Sequence, residues 1–137
     1  MLILHKDSLQ EIYAHCDGAY PNEACGILAG RDGRVETVYP MTNAEPSPSF
    51  YLIDAQEQFR VMKQMRQAGE DLVGIYHSHT GSPAYPSATD VSLAYYPEAH
   101  YLIVTLMDRA HPAARAYSIV DGAIAEVEVR IHSEEYR

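Results

Sequence analysis

The sequence predicts an α/β protein (α+β mixed), in which one mixed β-sheet is flanked by helices within a single domain spanning residues 1–137. Short apolar runs bounded by turn residues predict strands, and segments with helical spacing lie between some of them. Because the two kinds of segment do not alternate strictly, a mixed sheet is favoured. The length of 137 residues, with 47% apolar and 21% charged residues, is typical of one globular domain.

The chain opens with a predicted strand over residues 2–5, followed by a helix. Asp7 or Ser8 is the expected cap of this helix, because a short polar side chain satisfies the free backbone N–H groups of a first turn. Gly18 and Pro21 are expected to end it, since neither residue favours continued helix.

The next part of the chain predicts a hairpin. Residues 24–29 form an apolar run typical of a buried strand. The sequence at 31–34, Arg-Asp-Gly-Arg, is a turn signal, and 35–41 would return as the partner strand. A loop rich in Pro and Ser follows at 42–49, and 50–53 is expected to be extended.

A second helix is predicted after Asp54, which forms a capping-box pattern with Glu57, and Gly69 is its expected end. Residues 72–76 then form another apolar strand, which continues directly into a His-Ser-His sequence. A loop at 80–86, which contains Gly81, Pro83 and Pro86, follows that sequence.

The last part of the chain predicts a helix over 87–95 and three strands, over 101–107, 114–120 and 124–131. The Asp-Gly pair at 121–122 is a strong hairpin signal, so the last two strands should be antiparallel neighbours.

The charge of the chain argues against two classes of partner. Ten Lys and Arg residues against 19 Asp and Glu residues give a net charge of −9. An acidic surface repels phosphate groups, so we expect no nucleic-acid binding and no membrane binding. No apolar run approaches the roughly 18 residues of a membrane span, and a signal peptide is not indicated, which favours a cytoplasmic protein.

The strongest chemical signal is the series His77, Ser78 and His79, followed by Ser87 and Asp90. Residues two apart on a strand face the same side, so the two histidines would project together and Ser78, expected to be structural, would point away. Two imidazoles and one carboxylate are a typical catalytic zinc set. Asp90 becomes the third ligand if the intervening loop folds the next helix back over the strand end.

Simpler interpretations exist for each part of this series. His77 and His79 could be two polar residues facing solvent at a strand end. Ser87 and Asp90 also form a capping box, which needs no chemistry. The combined spacing favours the metal site, and Ser87 could cap the helix and still present its hydroxyl group.

The pattern HSH-x7-S-x2-D resembles the signature of the JAMM (MPN-plus) metallopeptidases, which pair it with an upstream Glu. Glu23, in the segment PNEACG, matches that position. The resemblance implies a cytidine-deaminase-like JAMM domain with Zn²⁺ bound by His77, His79 and Asp90. It implies Glu23 as general base and Ser87 as donor to the developing oxyanion. Cys25 shares a face with Glu23 and is expected to be a small buried residue.

Longer segments carry a narrower resemblance within this family: PNEACGILAG, MTNAEPSPSFY, YHSHTGSPAYPSATDVSLA, AHYLIV and YSIVDGAI. Together they resemble peptidases that act on a small ubiquitin-like sulfur-carrier protein ending in Gly-Gly, releasing an attached cysteine. We expect the carrier tail to lie as an added strand beside a sheet edge, in a groove walled by residues 42–51 and 80–86.

Other interpretations remain open at this point. The enzyme could trim a precursor carrier or act as a deubiquitinase-like isopeptidase, and the short chain leaves little room for the insertions of the latter. A non-catalytic scaffold is disfavoured, because the ligand and base positions are all filled. The carrier's identity, the released residue and the oligomeric state are not indicated by the sequence.

Overall fold

A computed structural model of the chain describes residues 1–134; the last three residues of the predicted domain, 135–137, lie outside the described part. The predicted α/β class with a mixed sheet and flanking helices is confirmed. The elements, in chain order, are β1 (Leu2–His5), α1 (Lys6–Ala19), β2 (Cys25–Arg31), β3 (Arg34–Met41), α2 (Ala55–Ala68), β4 (Asp71–His79), α3 (Ala88–Ser92), β5 (His100–Thr105), β6 (Ala113–Val120), β7 (Ala123–Val127) and β8 (Val129–His132).

The strands form one sheet in the order β7-β6-β5-β4-β2-β3-β1-β8. Strand β4 lies in the middle, antiparallel to β2 and parallel to β5. Parallel pairing also joins β1 to β3 and to β8, so the sheet is mixed. Because both edges of β4 are hydrogen-bonded, side chains at its end are held on a rigid platform.

Each face of the sheet carries its own hydrophobic core, and alternation along the strands divides the side chains between the two. On one face α1 contributes Ile12, which packs in the same cluster as Tyr76 of β4. On the other face α2 contributes Met65, α3 contributes Val91, and β4 contributes Ile75. The side chains of β4 that continue the series of Ile75 therefore point toward α2 and α3.

Two expected hairpin turns are confirmed. Asp32 and Gly33 have φ values of 53° and 77°, and Asp121 and Gly122 have values of 50° and 79°. Positive φ at both central residues is the geometry of a two-residue turn that matches strand twist. The Asp-Gly pairs therefore join β2 to β3 and β6 to β7, as the sequence predicts.

Some predicted boundaries are wrong. The first helix begins at Lys6, and its cap is His5, whose Nδ1 accepts a hydrogen bond from the backbone N–H of Asp7 (3.0 Å). The predicted caps, Asp7 and Ser8, lie inside the helix because β1 runs into α1 without a linker.

None of the helices described is long and apolar enough to cross a lipid bilayer.

The third helix is also shorter than predicted, and it covers residues 88–92. The backbone N–H of Tyr96 donates to the hydroxyl group of Tyr101 on β5 (3.1 Å), a tertiary contact that replaces continued helical bonding. Residues 50–53 do not form a strand; an isolated bridge joins Asn43 to Ile53.

The largest correction concerns residues 124–131, which were expected to form one strand. They belong to β7 and β8, with Glu128 between them, and these strands occupy the two ends of the sheet. The sheet must therefore curl until its two ends meet. Val127 and Val129 both pack against the core that contains α1, so this core lies on the inside of the curl.

Candidate metal centre

The end of β4 places His77 and His79 side by side. Both side chains follow Ile75 on the face covered by α2 and α3, and they are buried, with 1% and 5% exposure. Ser78 points to the other face, where its Oγ accepts a hydrogen bond from the backbone N–H of Ala24 (2.9 Å). This contact supports the structural role expected for Ser78.

Asp90 meets the histidines because α3 folds back over the end of β4. Its Oδ1 lies 3.1 Å from Nε2 of His77, and its Oδ2 lies 2.9 Å from Nε2 of His79. The two Nε2 atoms are 3.2 Å apart. Three buried ligand atoms thus converge on one point, within 4.8 Å of one another.

This cluster fits a metal ion by its donor chemistry. Two imidazole nitrogens and one carboxylate oxygen leave a fourth tetrahedral position open, as catalytic zinc sites require. The Nδ1 of His79 lies 2.8 Å from the carbonyl oxygen of Pro83, to which it donates its proton, so Nε2 carries the lone pair. Buried polar groups such as these three need a partner, and a metal ion bound by all of them would supply it.

The protonation of His77 and Asp90 agrees with this fit, and at Nε2 of His79 a metal ion would compete with a proton. Burial lowers the pKa of His77, which favours the neutral imidazole. Burial also acts to lower the pKa of His79, but its hydrogen bonds to Asp90 and Pro83 outweigh burial and leave the value raised. For Asp90, burial acts to raise the pKa, and the two histidines outweigh it and hold the carboxyl group ionised.

The loop between β4 and α3 is fastened by three successive carbonyl groups. The carbonyl oxygen of Ser82 accepts a hydrogen bond from the hydroxyl group of Thr105 on β5 (2.6 Å). That of Ala84 accepts from the hydroxyl group of Tyr117 on β6 (2.5 Å), and that of Pro83 faces His79. Neighbouring strands therefore hold the loop that places Asp90.

Glu23 lies just before β2, in the same cleft as His79 and Ser87. Its side chain is buried, and Oε1 has no hydrogen-bond partner among the described residues. Burial raises the pKa of Glu23 to about 7, although His79 acts to lower it and Asp90 raises it further. A carboxyl group with a pKa near neutrality is suited to exchange protons.

Ser87 is the N-cap of α3 and completes the expected capping box. Its Oγ accepts from the backbone N–H of Asp90 (3.1 Å), while its own N–H donates to Oδ2 of Asp90 (2.9 Å). The hydroxyl hydrogen of Ser87 is not used by the cap, and Ser87 lines the cleft. The cap and a role in the cleft are therefore compatible.

Comparison with known proteins identifies the family. The model of prokaryotic homologues of the JAB domain matches residues 5–120. The chain is 47% identical over 133 residues to a CysO-cysteine peptidase of Mycobacterium tuberculosis, covering 96% of this chain and 91% of that protein. The chain belongs to the prokaryotic JAB-domain family. The expected resemblance to JAMM metallopeptidases is confirmed, and the protein is a peptidase of this type.

Two further relatives of this JAB-domain peptidase are informative. A desampylase of Haloferax volcanii is 39% identical over 109 residues, covering 74% of this chain and 78% of that one. A protein of Desulfitobacterium hafniense, known from its solution structure, superposes with a TM-score of 0.89 at 40% identity, covering 98% of this chain and 94% of that one.

In this JAB-domain site, Cys25 lies outside the metal cluster, and it is buried and free.

The sequence did not reveal the two residues that contact the base and one of the metal ligands. Asn43 and Tyr51, in the loop before α2, contact Glu23 and His77 respectively. Both residues lie in the segment MTNAEPSPSFY, which contributes to the family resemblance. That resemblance assigns no role to either of them.

Proposed function

We propose that the protein is a zinc peptidase that hydrolyses the amide bond between the C-terminal Gly-Gly of a ubiquitin-like sulfur-carrier protein and an attached cysteine. The observation that carries the proposal is the cleft in which Glu23 lies beside the buried His77–His79–Asp90 cluster. The close relative named a CysO-cysteine peptidase supports the choice of substrate.

His77, His79 and Asp90 hold Zn²⁺ in this proposal. Zn²⁺ held there would polarise a scissile carbonyl group and lower the pKa of a water molecule. Glu23 would accept a proton from the attacking water at Oε1, which has no hydrogen-bond partner among residues 1–134, and would deliver it to the departing amine. Ser87 donates its unused hydroxyl hydrogen to the developing oxyanion. Burial of the site strengthens each of these interactions, since little water competes for them.

The shape of the cleft suits a slender tail. Its volume is about 310 Å³, and its walls include Pro48 and Ser49 on one side and residues 80–82 on the other. The hydroxyl group of Thr80 donates to the carbonyl oxygen of Pro48 (2.9 Å), so the two walls are joined. Two glycines can enter such a space because they carry no side chains.

A second function uses the same chemistry on another substrate. The relative named a desampylase supports cleavage of conjugates between a ubiquitin-like modifier and a protein. The two functions differ in the leaving group, which is a single amino acid in one and a protein side chain in the other.

The proposal is tested by incubating the zinc-loaded protein with a carrier–cysteine conjugate and recording the intact mass of the carrier. We expect the loss of one cysteine residue, and no loss with the Glu23→Gln variant. An unchanged carrier in the presence of bound zinc would contradict the cysteine-releasing function. Cleavage of a carrier–protein isopeptide in the same assay would favour the second function.

Ser87→Ala should lower kcat about 100-fold, because one donor to the oxyanion is lost. The variant should also lose about 1 kcal/mol of stability, because the cap of α3 is removed. Steady-state kinetics and denaturant unfolding separate these effects. Ser92→Ala is the control, since Ser92 lies on the same helix and donates to the carbonyl oxygen of Thr89. A Ser87→Ala enzyme with the kcat of the control would exclude the proposed role.

A further inference from the structure

The loop before α2 is organised around the side chain of Asn43. Its Nδ2 donates to the carbonyl oxygens of Glu23 (3.1 Å) and Phe50 (3.0 Å). Its Oδ1 accepts from the backbone N–H groups of Glu45 (3.1 Å) and Leu52 (2.9 Å). Two donors and two acceptor positions are the full capacity of an amide side chain. One residue thus joins the segment of Glu23 to both ends of the loop.

Glu23 depends on this loop for its main-chain hydrogen bonds. Its backbone N–H donates to the carbonyl oxygen of Ser47 (2.8 Å), and its own carbonyl oxygen accepts from Asn43. Glu23 precedes the first residue of β2, so these bonds take the place of a strand ladder. The position of the Glu23 carboxyl group therefore follows the position of the loop.

The same loop also contacts the metal cluster through Tyr51. The rings of Tyr51 and His77 are stacked, with centroids 4.5 Å apart and an angle of 21° between their planes. Tyr51 is itself buried, with 8% exposure. A bulky ring packed in parallel against an imidazole restricts its rotation, as packing generally restricts buried side chains.

The stacking matters because His77 has no other orienting contact of the usual kind. A metal-binding histidine generally donates its second ring N–H to a carboxylate or carbonyl group, as His79 does to Pro83. The Nδ1 of His77 is buried and has no hydrogen-bond partner among residues 1–134. The stacked ring of Tyr51 is thus a contact outside the ligand cluster that can define the plane of the His77 ring.

We propose that Asn43 and Tyr51 are positioning residues that assemble the two halves of the site, with Tyr51 fixing the ring of His77 and Asn43 fixing both Tyr51 and Glu23. The inference rests on the proposed metal site and goes beyond it, since neither residue belongs to the His77–His79–Asp90 cluster. Leu52 and Phe50, the neighbours of Tyr51, are the residues that Asn43 holds.

The first test measures zinc affinity by competition with a chelating dye, without any substrate. Tyr51→Leu should bind zinc about 10-fold more weakly, in the range found for loss of an outer partner of a ligand. Tyr51→Phe keeps the stacked ring and should bind zinc as the wild type does. Equal affinity of Tyr51→Leu and wild type would overturn the role of Tyr51.

The second test concerns Asn43. Asn43→Ala should weaken zinc binding about 10-fold and, at saturating zinc, lower kcat at least 10-fold, because Glu23 loses its anchor. Thr42→Val is the matched control: Thr42 lies next to Asn43, and its hydroxyl group donates to Glu57 (2.9 Å), away from the site. Asn43→Ala with the affinity and kcat of this control would overturn the role of Asn43.

The two tests remain decisive if the proposed substrate is wrong. A wild-type protein that binds zinc but leaves the conjugate intact would contradict the proposed function, and the order of zinc affinities would still support or overturn the positioning role. If Asn43→Ala does not fold, Asn43→Asp takes its place, because it keeps the acceptor oxygen and loses both Nδ2 donors to Glu23 and Phe50. Equal zinc affinity and kcat of Asn43→Asp and the Thr42→Val control would then overturn the role of Asn43.

Discussion

Asp90→Asn should abolish zinc binding and peptidase activity together. Asp90 supplies the negative charge of the cluster, and its two oxygens lie 3.1 Å and 2.9 Å from the two histidines. The amide that replaces it is a neutral and weak ligand, and its NH₂ group must face one imidazole. Since loss of an outer partner of a ligand costs about 10–100-fold in affinity, loss of a ligand should cost more.

The measurement is metal content after dialysis against metal-free buffer, with activity measured in parallel. Asp54→Asn is a matched control, because Asp54 caps α2 by accepting from the backbone N–H of Glu57 (3.0 Å) and lies outside the cluster. Circular dichroism should show both variants folded. An Asp90→Asn protein that retains stoichiometric zinc would remove Asp90 from the ligand set.

Glu23→Gln should reduce kcat by about 10²–10⁴-fold while zinc remains bound, since this is the usual contribution of a general base. Gln has the same shape as Glu but cannot accept the proton. Glu45→Gln is the control, because Glu45 is exposed in the loop beside the cleft. More than a few per cent of wild-type kcat in Glu23→Gln would rule out the proposed proton transfer.

The same substitution should change how the stability of the metal-free protein depends on pH. Burial raises the pKa of Glu23 to about 7, whereas an unfolded Glu ionises near its ordinary value of about 4.3. Between these values the folded state binds the extra proton, so this residue makes folding less favourable as the pH rises. From pH 5 to pH 8, the free energy of unfolding of metal-free Glu23→Gln should therefore rise by about 2–3 kcal/mol relative to that of wild type.

Urea unfolding at the two pH values, with chelator present, measures this difference. The Glu45→Gln control should keep the wild-type dependence. A constant difference between Glu23→Gln and wild type would mean that the Glu23 carboxyl group has an ordinary pKa in the folded protein. A difference that grows with pH, together with a loss of kcat, would show that the buried carboxyl group of Glu23 serves catalysis and destabilises the folded protein.

The metal cluster was predictable because its geometry is local. Strand alternation places His77 and His79 on one face, and a short loop with a capping box brings Asp90 back to them. The positions of Asn43 and Tyr51 were not predictable in this way. The contacts of Asn43 with Glu23 and of Tyr51 with His77 join residues 20 or more positions apart, through a loop without regular structure, and neither periodicity nor composition encodes such contacts.

In the fold too, features determined by neighbouring residues were predictable, and features determined by residues far apart in the sequence were not. Two hairpins followed from their Asp-Gly turns, because those turns depend on adjacent residues. The division of residues 124–131 between β7 and β8 was not predictable. Nothing in their apolar pattern marks Glu128 as the residue at which the chain passes to the other edge of the sheet. That departure is decided by β1, more than 120 residues earlier, whose Leu2 donates its backbone N–H to Glu128 (2.9 Å).

The pairing of β1 with β8 also has a consequence for synthesis. Strand β1 pairs with a strand that is synthesised more than 120 residues later, and a contact over this distance has a high entropic cost of loop closure. A nascent chain can form the β2–β3 hairpin early, but β1 remains open along one edge until residues 129–132 emerge. Residues 129–132 thus complete the pairing of β1, and before they pair, the free edge of β1 is exposed to chaperones and proteases.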